Sequence, residues 1–299
     1  METDYIWLDG AFLPWEEAKI HVISHALHYG SGVFEGTRFY NTENGPAIFR
    51  LQDHTKRLFY SARAIGLTIP FSEDEVNQAT KETVRKNKVE SGYIRPLAFF
   101  GEGKMGLRPQ GAKEHLCIAC WPWGKYLADR PIRVKISKYI RIHPKSLVAD
   151  AKVTGHYVNS ILAVQEVLPQ GYDEAMLLDF EGNIAEGPGE NFFLVKNGVL
   201  HTPKLGNILA GITRQTIITL ANDLGIETVE RTIRPEEIWE ADEAFYTGTA
   251  AEVTPIGEVD DKKIGNGEEG EVTAKLKKAY FDAVTGKNEK YPEWITSVL

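Results

Sequence analysis

The run Asp150-Ala151-Lys152-Val153-Thr154-Gly155-His156-Tyr157 sets one lysine among small residues. Small neighbours let a lysine enter a crowded pocket, where loss of water lowers its pKa and frees the amine as a nucleophile. Further along stands Ile184-Ala185-Glu186-Gly187-Pro188-Gly189-Glu190-Asn191-Phe192. Its Gly-Pro-Gly segment cannot be regular helix or strand, which puts Glu186 on a turn facing a cleft. A lysine nucleophile and a lone carboxylate are the start of an active site. Two solvated surface groups fit the same spacing.

Working outward, the chain has 299 residues, enough for two domains of ordinary size. Hydrophobic content of 42% and charged content of 25% are those of a globular protein. The net charge of −8, with no long basic block, argues against nucleic acid or an anionic membrane as partner. The acidic start Met1-Glu2-Thr3-Asp4 and the lack of an 18-residue apolar run point to a soluble, cytoplasmic protein. Cys117 and Cys120 form a C-x-x-C inside an apolar run. No second Cys/His pair follows at metal spacing, so core packing is expected and no metal site. The same holds for His25 and His28, which lack a third ligand nearby.

Tyr5 to Leu13 reads as two strands about an Asp9-Gly10 turn. A helix is expected over 53–66, with Leu58, Ala62 and Ile65 on one face, and a second from the capping box Ser72-Glu73-Asp74-Glu75 to about Val89. Strands are expected at Tyr93–Phe100 and Leu116–Trp121, joined by a glycine-rich loop long enough to carry function. Residues 123–131 read as a linker between a domain of residues 1–122 and one of residues 132–299. In the second part, Ile132 to Ser137 alternates as a strand, Tyr157 to Leu168 is a helix, and Asn197-Gly198 turns a hairpin. Gly211-Ile212-Thr213 leads into a helix ending near Gly225, whose free N–H groups make either a phosphate site or an ordinary cap. Glu243 to Glu252 is a strand entering a turn of small hydroxyl residues, and the tail from Glu271 is an amphipathic helix.

Seven of these stretches, in order, resemble the branched-chain amino acid aminotransferases, the fold-type-IV group of pyridoxal 5′-phosphate (PLP) enzymes. They are Ser24-His-Ala-Leu-His-Tyr-Gly30, Val33-Phe-Glu-Gly-Thr-Arg38, Tyr93-Ile-Arg-Pro-Leu97, Ala151-Lys152, Glu186-Gly-Pro-Gly-Glu-Asn191, Gly211-Ile-Thr-Arg214 and Gly248-Thr-Ala-Ala-Glu-Val-Thr-Pro255. The resemblance covers nearly the whole chain. It implies an α+β fold of two domains, a smaller N-terminal α/β domain and a larger C-terminal domain with a pseudo-barrel sheet, and an active site between them.

It also implies roles. Lys152 would form the Schiff base and shuttle the proton, Glu186 would keep the pyridine nitrogen protonated, and Tyr157 would bond the ring hydroxylate. Arg57, the amides of Ile212 and Thr213, the Thr213 hydroxyl and Thr249 would hold the phosphate. Tyr93 and the Thr249-Ala250 turn would take the substrate α-carboxylate, and Phe34, Gly36, Trp123 and Tyr126 its side chain. Arg95 and Tyr29 would admit the side-chain carboxylate of glutamate. Tyr29 and the Met105-Gly106-Leu107 loop would serve a neighbouring subunit, which makes a homodimer the smallest assembly and leaves a higher homo-oligomer open. Thr154 and His156 depart from the glycine and asparagine common in the family. The implied activity is ping-pong transamination between Leu, Ile or Val and 2-oxoglutarate, giving branched 2-oxo acids and L-glutamate, in amino-acid biosynthesis. D-Amino acid transaminase, (R)-amine transaminase and aminodeoxychorismate lyase share the cofactor machinery, so Lys152, Glu186 and Arg57 do not separate them. A non-catalytic oligomer binding a phosphorylated ligand would explain the anion-friendly turns alone.

Overall fold

The computed structural model describes residues 2–299. The chain forms two compact units. The first runs to Gly124 and adds Ala151–His156 and Ala283–Leu299. The second holds Lys125–Asp150 and Tyr157–Asp282.

The first unit is an eight-stranded sheet with helices α1 (His25–Tyr29), α2 (Leu51–Ala64) and α3 (Glu73–Asn87). Its strands are β1 (Tyr5–Leu8), β2 (Ala11–Pro14), β3 (Gly32–Phe34), β4 (Thr37–Thr42), β5 (Gly45–Phe49), β6 (Gly92–Phe100), β7 (Glu114–Trp121) and, numbered along the whole chain, β17 (Ile295–Ser297). Their order is β17-β5-β4-β6-β7-β1-β2, with β3 laid on β6. Asp9 and Gly10 both take positive φ (50° and 95°), the geometry of a tight hairpin turn, and Leu8 pairs with Ala11. The capping box forms: Ser72 accepts from the Glu75 N–H and the Glu75 carboxylate accepts from the Ser72 N–H. Leu58 and Ala62 of α2 and Val76 and Val84 of α3 share one core with Phe39, Ile94 and Ile118 of the sheet. Cys117 and Cys120 lie three apart on β7 and so face opposite sides of the sheet. Burial pushes both thiols up to about 12, the state of packing groups and not of reactive ones.

The second unit contains β8 (Ile132–Ile136), β9 (Glu174–Leu178), β10 (Ile184–Glu186), β11 (Asn191–Lys196), β12 (Val199–Pro203), β13 (Thr228–Arg231), β14 (Glu243–Gly248), β15 (Glu252–Val259) and β16 (Lys262–Lys263). The order β10-β9-β8-β15-β14-β11 closes on itself because β10 also pairs with β11, giving a six-strand barrel within the nine-stranded sheet. Ile132, Met176, Phe192, Leu194, Tyr246 and Ile256 make its apolar core. Helix α4 (Tyr157–Val167) packs Ala163 and Val167 with Tyr172, Ala175 and Leu177. Helix α5 (Ile212–Asp223) contacts β13 and β14, and α6 (Glu271–Val284) runs across the division of the chain.

Two expectations need restating. Glu186 closes strand β10 and does not stand on a turn: it pairs with Leu177 on one side and Asn191 on the other, beside a bulge, and the Gly-Pro-Gly turn begins only after it. The units also differ from a cut into residues 1–122 and 132–299, and they come out nearly equal in length. The run at Lys152 belongs to the first unit, held by a Val33–Val153 bridge, by the Phe34 N–H on the Lys152 carbonyl (3.1 Å) and by the Gly155 N–H on the Gly30 carbonyl (3.1 Å). The chain's end returns to the same unit by pairing β17 with β5.

Candidate active site

In the first unit the sequence-nominated residues gather around Phe34. The Lys152 Nζ lies 4.8 Å from the Phe34 ring centroid, and the Arg95 guanidinium carbon lies 4.7 Å from the same ring. Arg95 Nη2 donates to the Tyr93 hydroxyl at 3.3 Å, while Arg95 Nε is buried without a partner among the described residues. A buried guanidinium N–H left open is an expensive feature unless a ligand completes it. Tyr93 is pinned edge-on against Trp123 (4.4 Å between centroids) and tilted against Trp121 (5.5 Å). Gly36 faces the Tyr93 hydroxyl so closely that a Cβ there would sit 1.7 Å from it. The Lys152 N–H donates to Ser61 Oγ at 2.9 Å, which fixes the backbone from which the side chain springs.

Tyr29, Met105 and Leu107 form a second group in this unit. The His25 ring lies 4.4 Å from that of Tyr29, its Nε2–H donates to the Gly106 carbonyl at 2.7 Å, and its Nδ1 meets Ser31 Oγ at 2.6 Å. His25 is thus a satisfied structural histidine that ties Tyr29 to the 105–107 loop, whose Leu107 is 88% exposed.

Arg57 is held by a residue that sequence reasoning passed over. Its Nε and Nη2 donate to Glu35 Oε1 and Oε2 at 2.6 and 2.9 Å, and His54 Nδ1–H donates to Glu35 Oε2 at 2.7 Å. Burial opposes ionisation of Glu35, but the Arg57 charge and the hydrogen bonds from Arg57 and His54 outweigh it, so the carboxyl sits well below its usual range. Burial also lowers the pKa of His54, so a neutral imidazole donates to an ionised carboxylate. Arg38 is a second omission: its Nη2 donates to the carbonyls of Trp123 and Gly124 (2.9 and 2.8 Å) and fixes the chain just after β7.

In the second unit Glu186 is fully dressed. Arg141 Nε donates to Oε1, Asn191 Nδ2 to Oε2 at 3.1 Å and the Leu209 N–H to Oε2 at 3.1 Å. Arg141 in turn donates from Nη2 to the Ala149 carbonyl at 3.0 Å. Asn191 was visible inside the quoted motif. Arg141 carried no signal. Helix α5 starts at Ile212 after an extended Gly211, with no side-chain cap, so the first-turn amides of Ile212 and Thr213 have no carbonyl one turn back to bond. A Cβ on Gly211 would fall 1.9 Å from Asn191 Oδ1, which reserves the position for glycine. Arg214, buried, donates to the Pro203 carbonyl at 2.9 Å and to Glu230 at 2.6 Å, and so anchors that first turn. Thr249 and Ala250 form the turn between β14 and β15, and Ala250 lines a cavity of about 270 Å³ together with Tyr126. Tyr157 opens α4.

Two more acids of this unit, Glu174 and Glu190, are buried. The Gly189 N–H donates to Glu190 Oε2 at 3.0 Å and the Gly187 N–H to the Glu190 carbonyl at 2.7 Å, so Glu190 braces the turn after Glu186. Burial first, then the Glu190 charge, hold the Glu174 carboxyl far above its ordinary 4.5. The folded chain keeps that proton while the unfolded chain releases it near 4.5, so this group makes stability fall as pH rises from there. Glu174→Gln, which cannot ionise, should therefore be more stable than the parent at pH 8, by a margin growing at most about 1.4 kcal/mol per pH unit and closing near pH 4. Thermal melts at several pH values check this, and a margin independent of pH would contradict it.

The barrel, the lysine on an apolar wall and the uncapped helix start together define a class. The family model described as amino-transferase class IV matches residues 32–259, and the chain belongs to that family. It is 53% identical over 297 residues to a branched-chain-amino-acid aminotransferase of Pseudomonas aeruginosa, covering 98% of this chain and 97% of that one. Among solved structures it resembles the T.th. branched-chain amino acid aminotransferase with pyridoxamine 5′-phosphate, at a TM-score of 0.97 and 45% identity over 100% of both chains. The same enzyme complexed with N-(5′-phosphopyridoxyl)-L-glutamate gives a TM-score of 0.97 and 45% identity, again over 100% of both chains. The expected α+β fold with a pseudo-barrel sheet is borne out. No helix among the described residues is long and apolar enough to cross a membrane.

Proposed function

We propose that the chain is a PLP-dependent aminotransferase exchanging the amino group of leucine, isoleucine or valine with 2-oxoglutarate in branched-chain amino-acid biosynthesis. The observation that carries this reading is the Phe34 wall, where an amine and a guanidinium with a buried, unpartnered Nε among the described residues both lie within 5 Å of one aromatic ring centroid. An apolar wall suits the leucine side chain, and a paired cation is what a buried glutamate carboxylate requires. The residues fit the cofactor: the Ile212 and Thr213 amides at a glycine-only helix start offer an anion cradle, and Arg57 offers a fixed cation. When bound, PLP supplies an aldehyde and an electron-accepting pyridinium ring.

Lys152 would hold the cofactor through its side-chain amine and would move the proton at the substrate Cα. Glu186 holds the proton on the ring nitrogen, with Arg141, Asn191 and the Leu209 N–H fixing both its oxygens. Tyr157 serves the ring hydroxylate, and Arg57, Ile212, Thr213 and Thr249 serve the phosphate. Tyr93, Thr249 and Ala250 receive the α-carboxylate, while Phe34, Gly36, Trp123 and Tyr126 bound the side chain. Arg95, with Tyr29 from a neighbouring copy, takes the distal carboxylate of glutamate, and Met105 and Leu107 of that copy close the wall. The working form is at least a homodimer. The exposed α4 residues Val158 (58%) and Ile161 (52%), together with Leu107, support coverage by further copies.

A half-reaction screen tests the reading. PLP-loaded protein mixed separately with L-leucine, L-glutamate, D-alanine and an (R)-amine should lose its visible absorption with the two L-amino acids. Loss with D-alanine or the amine alone would replace the substrate assignment by one of the other transaminases of the fold.

A further inference from the structure

The three-residue segment Phe34-Glu35-Gly36 meets Lys152, Arg95, Tyr93 and Arg57 of the first unit. Phe34 is the ring under Lys152 and Arg95, and its N–H donates to the Lys152 carbonyl at 3.1 Å. The Glu35 N–H donates to the Pro96 carbonyl at 2.9 Å, next to Arg95, and Gly36 abuts the Tyr93 hydroxyl. Between these residues the Glu35 side chain meets Arg57 and His54. It is 0% exposed and takes two hydrogen bonds from Arg57, one from His54 and one from the Gly36 N–H at 3.3 Å. A long arginine has many rotamers to lose on meeting a phosphate. One gripped in plane through Nε and Nη2 has lost them already.

We infer that Glu35 is a positioning residue for the cofactor's phosphate: its buried carboxylate fixes the Arg57 guanidinium and, through Phe34 and Gly36, locks the substrate wall to the same point. The inference rests on the PLP reading above and adds to it a residue that touches neither cofactor nor substrate. The low pKa of Glu35 and the neutral His54 agree with it, since the anion balances Arg57 and needs no second cation.

The experiment compares PLP with pyridoxal, which lacks the phosphate, as probes titrated into cofactor-free parent, Glu35→Gln and Glu35→Asp proteins. Visible absorption reports binding, and circular dichroism reports folding. Glu35→Gln should weaken PLP binding by roughly ten- to a hundredfold and change pyridoxal binding by less than about threefold. Glu35→Asp, which keeps the charge, should fall between Gln and parent and serves where Gln fails to fold. Combining Glu35→Gln with Arg57→Ala should be no weaker for PLP than Arg57→Ala alone, because the carboxylate acts through the arginine. Parent-like PLP affinity in both variants, equal weakening of PLP and pyridoxal, or additive losses in the double variant would each overturn the inference. A parent chain that binds neither probe would instead overturn the PLP reading on which it stands.

Discussion

Lys152→Ala is expected to leave a folded protein whose turnover of L-leucine falls by at least about ten-thousand-fold. The backbone of residue 152 is held by the Ser61 hydroxyl and by the Phe34 N–H, and neither contact uses the lysine side chain. Truncation therefore spares the loop, and the melting temperature should stay within a few degrees of the parent. What is lost is the amine over the Phe34 ring. A positioned general base contributes about 10²- to 10⁴-fold, and loss of the covalent anchor adds to that. The distinction between lost chemistry and lost structure can be drawn by rescue. Small primary amines added at high concentration should restore a measurable part of the rate, although far short of a tethered amine, whose effective concentration is orders of magnitude higher. Turnover within tenfold of the parent would remove Lys152 from the role of proton carrier. A collapse of the melting temperature would show that the side chain is structural after all.

What could be read from the sequence was local, and what could not was distant. The capping box at Ser72, the Asp9-Gly10 and Asn197-Gly198 turns and the cysteine strand each depend on residues within a few positions of one another. The helix start at Gly211 was visible, but spacing left open whether it was a cap or an anion site; what spacing could not show is that the helix has no side-chain cap and that any Cβ on Gly211 would meet Asn191 Oδ1. Glu186 was misplaced because glycine and proline after it suggested a turn, whereas its pairing with Leu177 in β9 is fixed by sheet register that no local pattern encodes. Glu35, His54 and Arg57 are separated by 19 and 22 positions, and only the folding of β3 against α2 turns an ordinary acid, histidine and arginine into one buried network. Arg141 reaches Glu186 across 45 positions in the same way. The placement of Lys152 with the first unit likewise depends on backbone pairing with Val33 and Gly30, more than a hundred residues earlier. The resemblance supplied roles for the groups that meet ligands. It did not supply the residues that hold those groups in place.

Gly36→Ala should cost about ten- to a hundredfold in kcat/KM for L-leucine while leaving PLP affinity close to that of the parent. Gly36 has no need of unusual backbone geometry, since its φ is not among the positive ones. Its constraint is space: an added methyl would lie 1.7 Å from the Tyr93 hydroxyl and 2.6 Å from the ring carbon bearing it. Tyr93 cannot simply swing away. It is 5% exposed, edge-on to Trp123, tilted on Trp121 and bonded by Arg95. Overpacking in such a setting costs about 1–3 kcal/mol, and each 1.4 kcal/mol is tenfold in rate or affinity. The displaced ring would take with it the groups assigned to the α-carboxylate and to glutamate, so both amino donors should suffer. Tyr93→Phe, by deleting the nearest atom, should recover part of the leucine activity when combined with Gly36→Ala, yet should lower activity when made alone. That sign reversal is the informative reading. If Gly36→Ala retains parent-like kcat/KM, or if Tyr93→Phe is equally harmful in both backgrounds, the close approach of Gly36 to Tyr93 does not shape the substrate site.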